Sequence, residues 1–143
     1  MSTLEKDALG RSLKMAQLAL KNAMEAKFRA LDLTLPQYAV LSQLALKEGQ
    51  TNAELARNAF ITPQSMQGIL SNMETSGLIE RKADQEHGRR QPARLTPTGA
   101  EKLTKARDLS QEAEDTLLRA VAPLNPEDVL ALFQRIHQSL SEL

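Results

Sequence analysis

Arg89 and Arg90 stand side by side within Arg81–Arg94, a run that holds five basic and two acidic groups. The chemistry such a run offers is recognition of phosphate: an excess of +3 over so short a stretch attracts anions even on a chain whose formal net charge is zero. The plainer alternative is a solvated loop, because short charge clusters commonly do no more than keep a surface in water. The zero total hides a partition, since residues 1–31 carry six basic and three acidic groups while residues 99–143 carry five basic and eight acidic. Other chemistry is poorly supplied. With no cysteine there is no disulfide, thiol nucleophile, thiolate zinc site or oxidation sensor, so any switch must be non-thiol. The two histidines are His87, in the basic run, and His137, and the sequence contains no HExxH, glycine-rich phosphate loop or GxSxG. An enzyme needs a positioned acid, base, nucleophile or metal. The expectation is therefore a non-enzyme with no catalytic residue, no cofactor and no metal site, because a metal at either histidine would have to recruit carboxylates.

The elements that would hold the basic run are written in the apolar spacing. Aromatics are only 3% of the chain, so the core is built from Leu, Ala, Met, Ile and Val, a composition that favours helices. Over Leu4–Leu31, apolar residues recur at Leu9, Leu13, Ala16, Leu20, Met24, Phe28 and Leu31, which predicts one long amphipathic helix. Pro36 opens a second helix at its first turn, where a missing N–H costs nothing, with Tyr38, Val40, Leu41 and Leu44 as its apolar positions and Gly49 closing the region. Thr51-Asn52-Ala53-Glu54 is a capping box that starts a short helix at Asn52, turns Leu55 and Ala56 inward and ends near Asn58 to Phe60. Thr62-Pro63 repeats the start signal for a helix running through Met66, Ile69, Leu70 and Met73 to a stop at Gly77. Leu78–Lys82 and Ala93–Thr96 read as the strands of a hairpin tipped by Ala83–Gln91. Pro92 has no N–H for the ladder, so pairing should begin after it or leave that bond unmade. A helix over Ala100–Ala120 then carries Leu103, Ala106, Leu109, Ala113, Leu117 and Leu118 as one stripe. The last helix, after Asn125-Pro126, carries Val129, Leu130, Phe133, Ile136 and Leu140.

A helix, a turn, a second helix with a polar outer face and a hairpin tipped with arginines is the layout of a winged helix-turn-helix. Burying Met66, Ile69, Leu70 and Met73 leaves Gln64, Ser65, Gln67, Gly68 and Ser71 facing outward, small or neutral groups able to reach base edges or phosphates from the major groove. The N-terminal N–H groups of that helix, with Thr62 and Ser65, suit a phosphate. Arg89 and Arg90 at the hairpin tip suit the narrow minor groove, whose negative potential draws in a weakly hydrated guanidinium. Arg81, Lys82 and Arg94 flank the hairpin and either contact phosphates or keep it soluble. A merely solvated helix face is the competing reading of the outward residues, and the adjoining basic hairpin weighs against it.

Length and patterning set the frame. At 143 residues the chain accommodates one compact domain, or a small DNA-reading lobe fused to helices that a second copy must cover. The stripes of Leu4–Leu31 and Asn125–Leu140 exceed what one small lobe can bury, so a homodimer is expected, with Leu9, Leu13, Val129, Leu130, Phe133, Ile136 and Leu140 at its interface. No stretch approaches the ~18–20 apolar residues of a membrane span, and Met1–Arg11 lacks the apolar segment of a secretory signal. A cytoplasmic location without membrane contact follows.

Several short runs together resemble the MarR family of transcription regulators in order and spacing. They are Leu35-Pro36-Gln37-Tyr38-Ala39-Val40-Leu41, Thr51-Asn52-Ala53-Glu54-Leu55-Ala56, Thr62-Pro63-Gln64-Ser65-Met66, Gly77-Leu78-Ile79, Gly88-Arg89-Arg90 and Leu95-Thr96-Pro97-Thr98-Gly99. The resemblance spans essentially the whole chain. It implies a mainly α fold with a small β-hairpin, residues 35–99 forming the winged helix-turn-helix lobe and residues 1–34 and 100–143 forming dimerisation helices. It also implies binding of palindromic double-stranded DNA by the homodimer, a repressor blocking promoter access, and often a small aromatic effector, whose binding residues the sequence does not reveal. Arg89 becomes the principal minor-groove contact. Two departures from the family pattern stand out: His87 replaces the usual acid before that arginine, and Gly68 replaces a frequent arginine of the recognition helix, which shifts base contact toward Gln64, Gln67 and Ser71. The main alternative is a helical interaction module whose basic hairpin binds an acidic protein.

Overall fold

The computed structural model describes residues 2–82 and 91–143. Its element order is α1 (Thr3–Phe28), a 3-10 turn (Arg29–Leu31), α2 (Leu35–Leu46), α3 (Asn52–Ala59), α4 (Pro63–Thr75), β1 (Ile79–Arg81), β2 (Ala93–Leu95), α5 (Pro97–Val121) and α6 (Pro126–Ser141). This is the expected mainly α chain with a small hairpin. It divides into two compact units, Met1–Leu109 and Ser110–Leu143.

Helix starts in the first unit follow the chemistry of their caps. Thr51 accepts the Glu54 N–H (3.3 Å) while its own N–H donates to the Glu54 carboxylate (3.0 Å), so two otherwise orphaned donors are satisfied. Thr34 and Gln37 make the same reciprocal pair at the head of α2, a box that adds to the Pro36 signal. Thr62 caps α4 by accepting the Ser65 N–H (3.1 Å).

Three segments end on one geometry, in which a left-handed residue reverses the chain and the residue after it donates its N–H to the carbonyl five positions back. At α4 the reversing residue is Gly77 (φ 74°), with Leu78 N–H on Met73 C=O and Gly77 N–H on Glu74 C=O. Phe60 (φ 57°) does this after α3, where Ile61 N–H reaches Ala56 C=O, and Asp32 (φ 50°) does it after the 3-10 turn, where Leu33 N–H reaches Phe28 C=O. The long first helix predicted to run through Leu31 thus tightens to 3-10 geometry at Arg29 and reverses at Asp32.

The core of the first unit is the one the spacing predicts. Phe28, Val40, Leu41, Leu44, Leu55, Ala56, Met66, Leu70 and Met73 are buried, and the Phe28 and Tyr38 rings meet at 4.8 Å between centroids. Ile69 is only half-buried. Burying each large side chain contributes about 1.5–3 kcal/mol before conformational entropy is set against it.

β1 and β2 pair antiparallel with Ile79 opposite Leu95, Glu80 opposite Arg94 and Arg81 opposite Ala93. The pairing does begin after Pro92. A further bridge extends it on the other side: Ala93 N–H donates to Gln50 C=O (2.9 Å) and Gly49 N–H to Ala93 C=O (3.0 Å), so the segment after α2 holds the outer edge of the hairpin.

In the second unit, the end of α5 leads to α6, which is capped by Asn125 through the Glu127 N–H (2.9 Å). Leu117, Leu118, Leu130, Phe133 and Leu140 are all exposed there, and Val129 and Ile136 are half-buried. On α1, Leu9 is exposed and Leu13 half-buried. No helix among the described residues is long and apolar enough to cross a membrane.

Candidate nucleic-acid interface

Asn52 sets how α3 meets α4. Its side-chain amide donates to the Pro63 carbonyl (2.9 Å), fixing the first turn of one helix against the first turn of the next across the turn Phe60–Thr62. With Met66, Leu70 and Met73 buried beneath, α4 leaves Gln64, Ser65, Gln67 and Gly68 exposed and Ser71 half-buried. Thr62 sits at the head of this face, and its hydroxyl donates to the Ser65 hydroxyl (3.0 Å). The outward residues named from sequence are thus brought together on one helix.

Arg81 and Arg94 are not equivalent. Alternation along the paired strands turns Glu80 and Arg94 to the exposed side of the ribbon, directly opposite each other. Arg81 faces the other way, against α4. Its guanidinium donates from Nη1 to Gln67 Oε1 (3.4 Å) and from Nη2 to Ser71 Oγ (3.3 Å) and Glu74 Oε1 (3.4 Å), and its backbone N–H reaches Glu74 Oε2 (3.2 Å). Only 7% of the side chain is exposed. Arg81 therefore ties the hairpin to the helix beside it. Arg89, Arg90 and His87 lie outside the described residues.

Between the first turn of α3 (Thr51–Glu54), Arg57, Gln67, Arg81 and Gln91 lies an open polar concavity of about 660 Å³. Asn52 Oδ1 and Arg81 Nε are buried beside it without a hydrogen-bond partner. Among the described residues no cluster of three or more His, Cys, Asp or Glu is arranged to hold a metal ion.

Three residues that matter to this geometry were not singled out from sequence. Glu74 closes the Arg81 network, and its spacing from Gln67 and Ser71, seven and three residues, places all three on one helix face. In the sequence Asn52 marks only a helix start. Gln50 is 3% exposed and joins three elements: its amide donates to the Gln43 and Lys47 carbonyls (2.7 and 2.8 Å), its side-chain oxygen accepts from Asn58 (3.2 Å), and its backbone carbonyl accepts from Ala93 (2.9 Å). No local motif marks a buried glutamine of that kind.

Residues 31–90 match the sequence model of the MarR family. The HTH-type transcriptional repressor Rv2887 of Mycobacterium tuberculosis is 35% identical over 120 residues, covering 83% of this chain and 86% of the relative. The transcriptional regulator HosA of Escherichia coli is 30% identical over 73% of this chain and 78% of its own length. Among solved structures, the mycobacterial protein in complex with p-aminosalicylic acid superposes with a TM-score of 0.66 at 32% identity, over 93% of this chain and 98% of that one. MepR of S. aureus, in its complex with DNA, gives a TM-score of 0.79 at 24% identity over 94% and 97%, a likeness of fold. A relative 35% identical over 83% of the chain, together with the family model matched by residues 31–90, places this chain in the MarR family.

Proposed function

We propose that the chain is a homodimeric transcription repressor that binds palindromic double-stranded DNA and is released by a small aromatic effector. The observation that carries the reading is the outward face of α4, with Gln64, Ser65 and Gln67 set over a buried apolar face and braced by a two-stranded ribbon that leads into the basic tip. Two copies would set their α4 helices in successive major grooves about 34 Å apart, blocking promoter access while bound. Thr62, Gln64, Ser65, Gln67 and Ser71 are the proposed groove and phosphate contacts on the helix, with Arg89, Arg90 and Arg94 supplied by the wing. Residues 35–99 would form the reading lobe and residues 1–34 and 100–143 the dimerisation helices. The mycobacterial relative has been crystallised with salicylic acid and with p-aminosalicylic acid, which supports an aromatic acid as the effector class. An effector can release the protein only by the difference in its affinity for the DNA-bound and free states. A cytoplasmic, non-enzymatic role without metal or cofactor accords with this reading.

The test is competition by unrelated duplex DNA at low salt. A helix-turn-helix protein is displaced measurably from its site by random duplex and loses affinity steeply as salt rises. A module for acidic proteins gives no measurable duplex affinity, and that result would end the DNA reading. Arg89→Ala should weaken binding to specific and random duplexes alike, and unchanged affinity for both removes the wing assignment.

A further inference from the structure

Gln67 and Ser71 are exposed to a constraint that their residue types alone do not impose. Arg81, inward on β1, holds the oxygen of each: Nη1 lies 3.4 Å from Gln67 Oε1 and Nη2 lies 3.3 Å from Ser71 Oγ. A guanidinium has five donors and no acceptor, so the group that faces it must be an oxygen. The amide of Gln67 therefore cannot flip without placing its NH2 against the donors of Arg81. Glu74 Oε1, 3.4 Å from Nη2, and Glu74 Oε2, 3.2 Å from the Arg81 backbone N–H, hold the arginine itself in place, and only 7% of its side chain is exposed. A cation so enclosed and paired is costly to unseat.

The consequence concerns which base the helix can read. A free glutamine recognises adenine by giving to N7 and accepting from the N6 amine at once. With its oxygen turned inward, Gln67 offers only the two N–H groups of Nε2. Guanine presents N7 and O6 as adjacent acceptors and has no donor on that edge of the major groove. Resting on the proposal that α4 is the reading helix, we infer that Arg81 is a positioning residue that sets Gln67 as a donor-only reader, and that the base facing Gln67 in each half-site is guanine rather than adenine. Ser71, with Arg81 on one lone pair of its oxygen, keeps its O–H to give and one further lone pair.

Selection of bound fragments from random duplexes, run with the wild-type protein and with Gln67→Ala, identifies the position that Gln67 reads as the one whose preference the variant loses. The expected base there is guanine. Substituting adenine or 7-deazaguanine at that position should weaken wild-type binding by about tenfold, within the range of one base-edge contact. In Arg81→Met the amide is free to turn, and the discrimination against adenine should fall to about twofold. A merely structural role for Arg81 would lower affinity for every duplex together and leave the preference intact. Because the 7-deazaguanine measurement uses the wild-type chain, it stands even where the methionine variant does not fold. Adenine at the Gln67 position, no position dependent on Gln67, or an Arg81→Met preference unchanged from wild type each overturns the inference with DNA binding intact. A wild-type protein that binds no duplex at all overturns the DNA reading itself, and this inference with it.

Discussion

Gln50 shows how much one buried polar side chain can organise. Its amide gives both N–H groups to carbonyls at the end of α2, its side-chain oxygen takes the Asn58 amide from α3, and its backbone carbonyl takes the Ala93 N–H of the hairpin. Gln50 itself is 3% exposed, whereas its side-chain partners Gln43, Lys47 and Asn58 are half-buried or exposed, so water can replace only part of what it supplies. Gln50→Ala should therefore cost more than a surface hydrogen bond. Three hydrogen bonds at about 0.5–1.5 kcal/mol each, partly recovered by water at Lys47 and Asn58, give an expected loss of about 1–2 kcal/mol in urea unfolding with the slope unchanged. A loss below about 0.5 kcal/mol would mean that water enters and replaces the side chain. Residues of this sort were the illegible part of the candidate site. Gln64, Ser65 and Gln67 are legible as outward because their neighbours at helical spacing are apolar, whereas Gln50, Asn52 and Glu74 work through side-chain bonds that reach across helix ends and turns, three to eleven residues away, and that no periodicity reveals.

At the scale of elements, starts were legible and stops were less so, and the reason lies in backbone energetics. A helix start advertises itself in Thr, Asn and Pro because their side chains or fixed φ satisfy the first turn, and Thr51, Thr62 and Asn125 all cap as the sequence suggests. A stop needs one left-handed residue, and glycine is its only strong marker. Gly77 was read for that reason. Asp32 and Phe60 adopt the same conformation without the marker, at a cost of roughly 1–2 kcal/mol for a residue bearing a Cβ, so the first helix looked longer than it is. Gly99 is required for another reason. Thr96 accepts the Gly99 N–H at the head of α5, donates its hydroxyl to the Gly77 carbonyl, and gives its N–H to Leu78 C=O (3.2 Å), so the start of α5 lies directly against the chain leaving α4. A Cβ on Gly99 would overlap the Leu78 carbonyl, a backbone atom that cannot swing aside. Gly99→Ala should destabilise by about 1–3 kcal/mol through overpacking. Gly10→Ala is the matched control: a Cβ there meets nothing within 4 Å, so the better helix former should raise stability by up to about 1 kcal/mol. Equal effects of the two substitutions would show that the Leu78 contact is not what Gly99 serves.

For the molecule as a whole, the telling quantity is apolar surface left in water. Leu9, Met15 and Leu18 on α1 are exposed in the first unit, and Leu130, Phe133 and Leu140 on α6 are exposed in the second, at 59%, 49% and 59%. Apolar residues at helical spacing on one face of α6 are what a coiled or bundled neighbour would cover, and a monomer of this size rarely leaves such a stripe bare. A second copy is the economical occupant, because reading a palindrome requires two lobes in a fixed relation. The joint replacement Leu130→Glu with Phe133→Arg should leave a monomer in sedimentation at micromolar concentration. Each lobe should still find a half-site, since the residues of α4 and the hairpin are untouched. What disappears is the gain from a tethered second lobe, commonly 10²–10⁴ in affinity, so binding to a full palindrome should fall to that of a single half-site. If the double variant remains dimeric, the α6 face is not the interface. If it becomes monomeric yet keeps its full affinity for the palindrome, a second reading lobe contributes nothing to recognition.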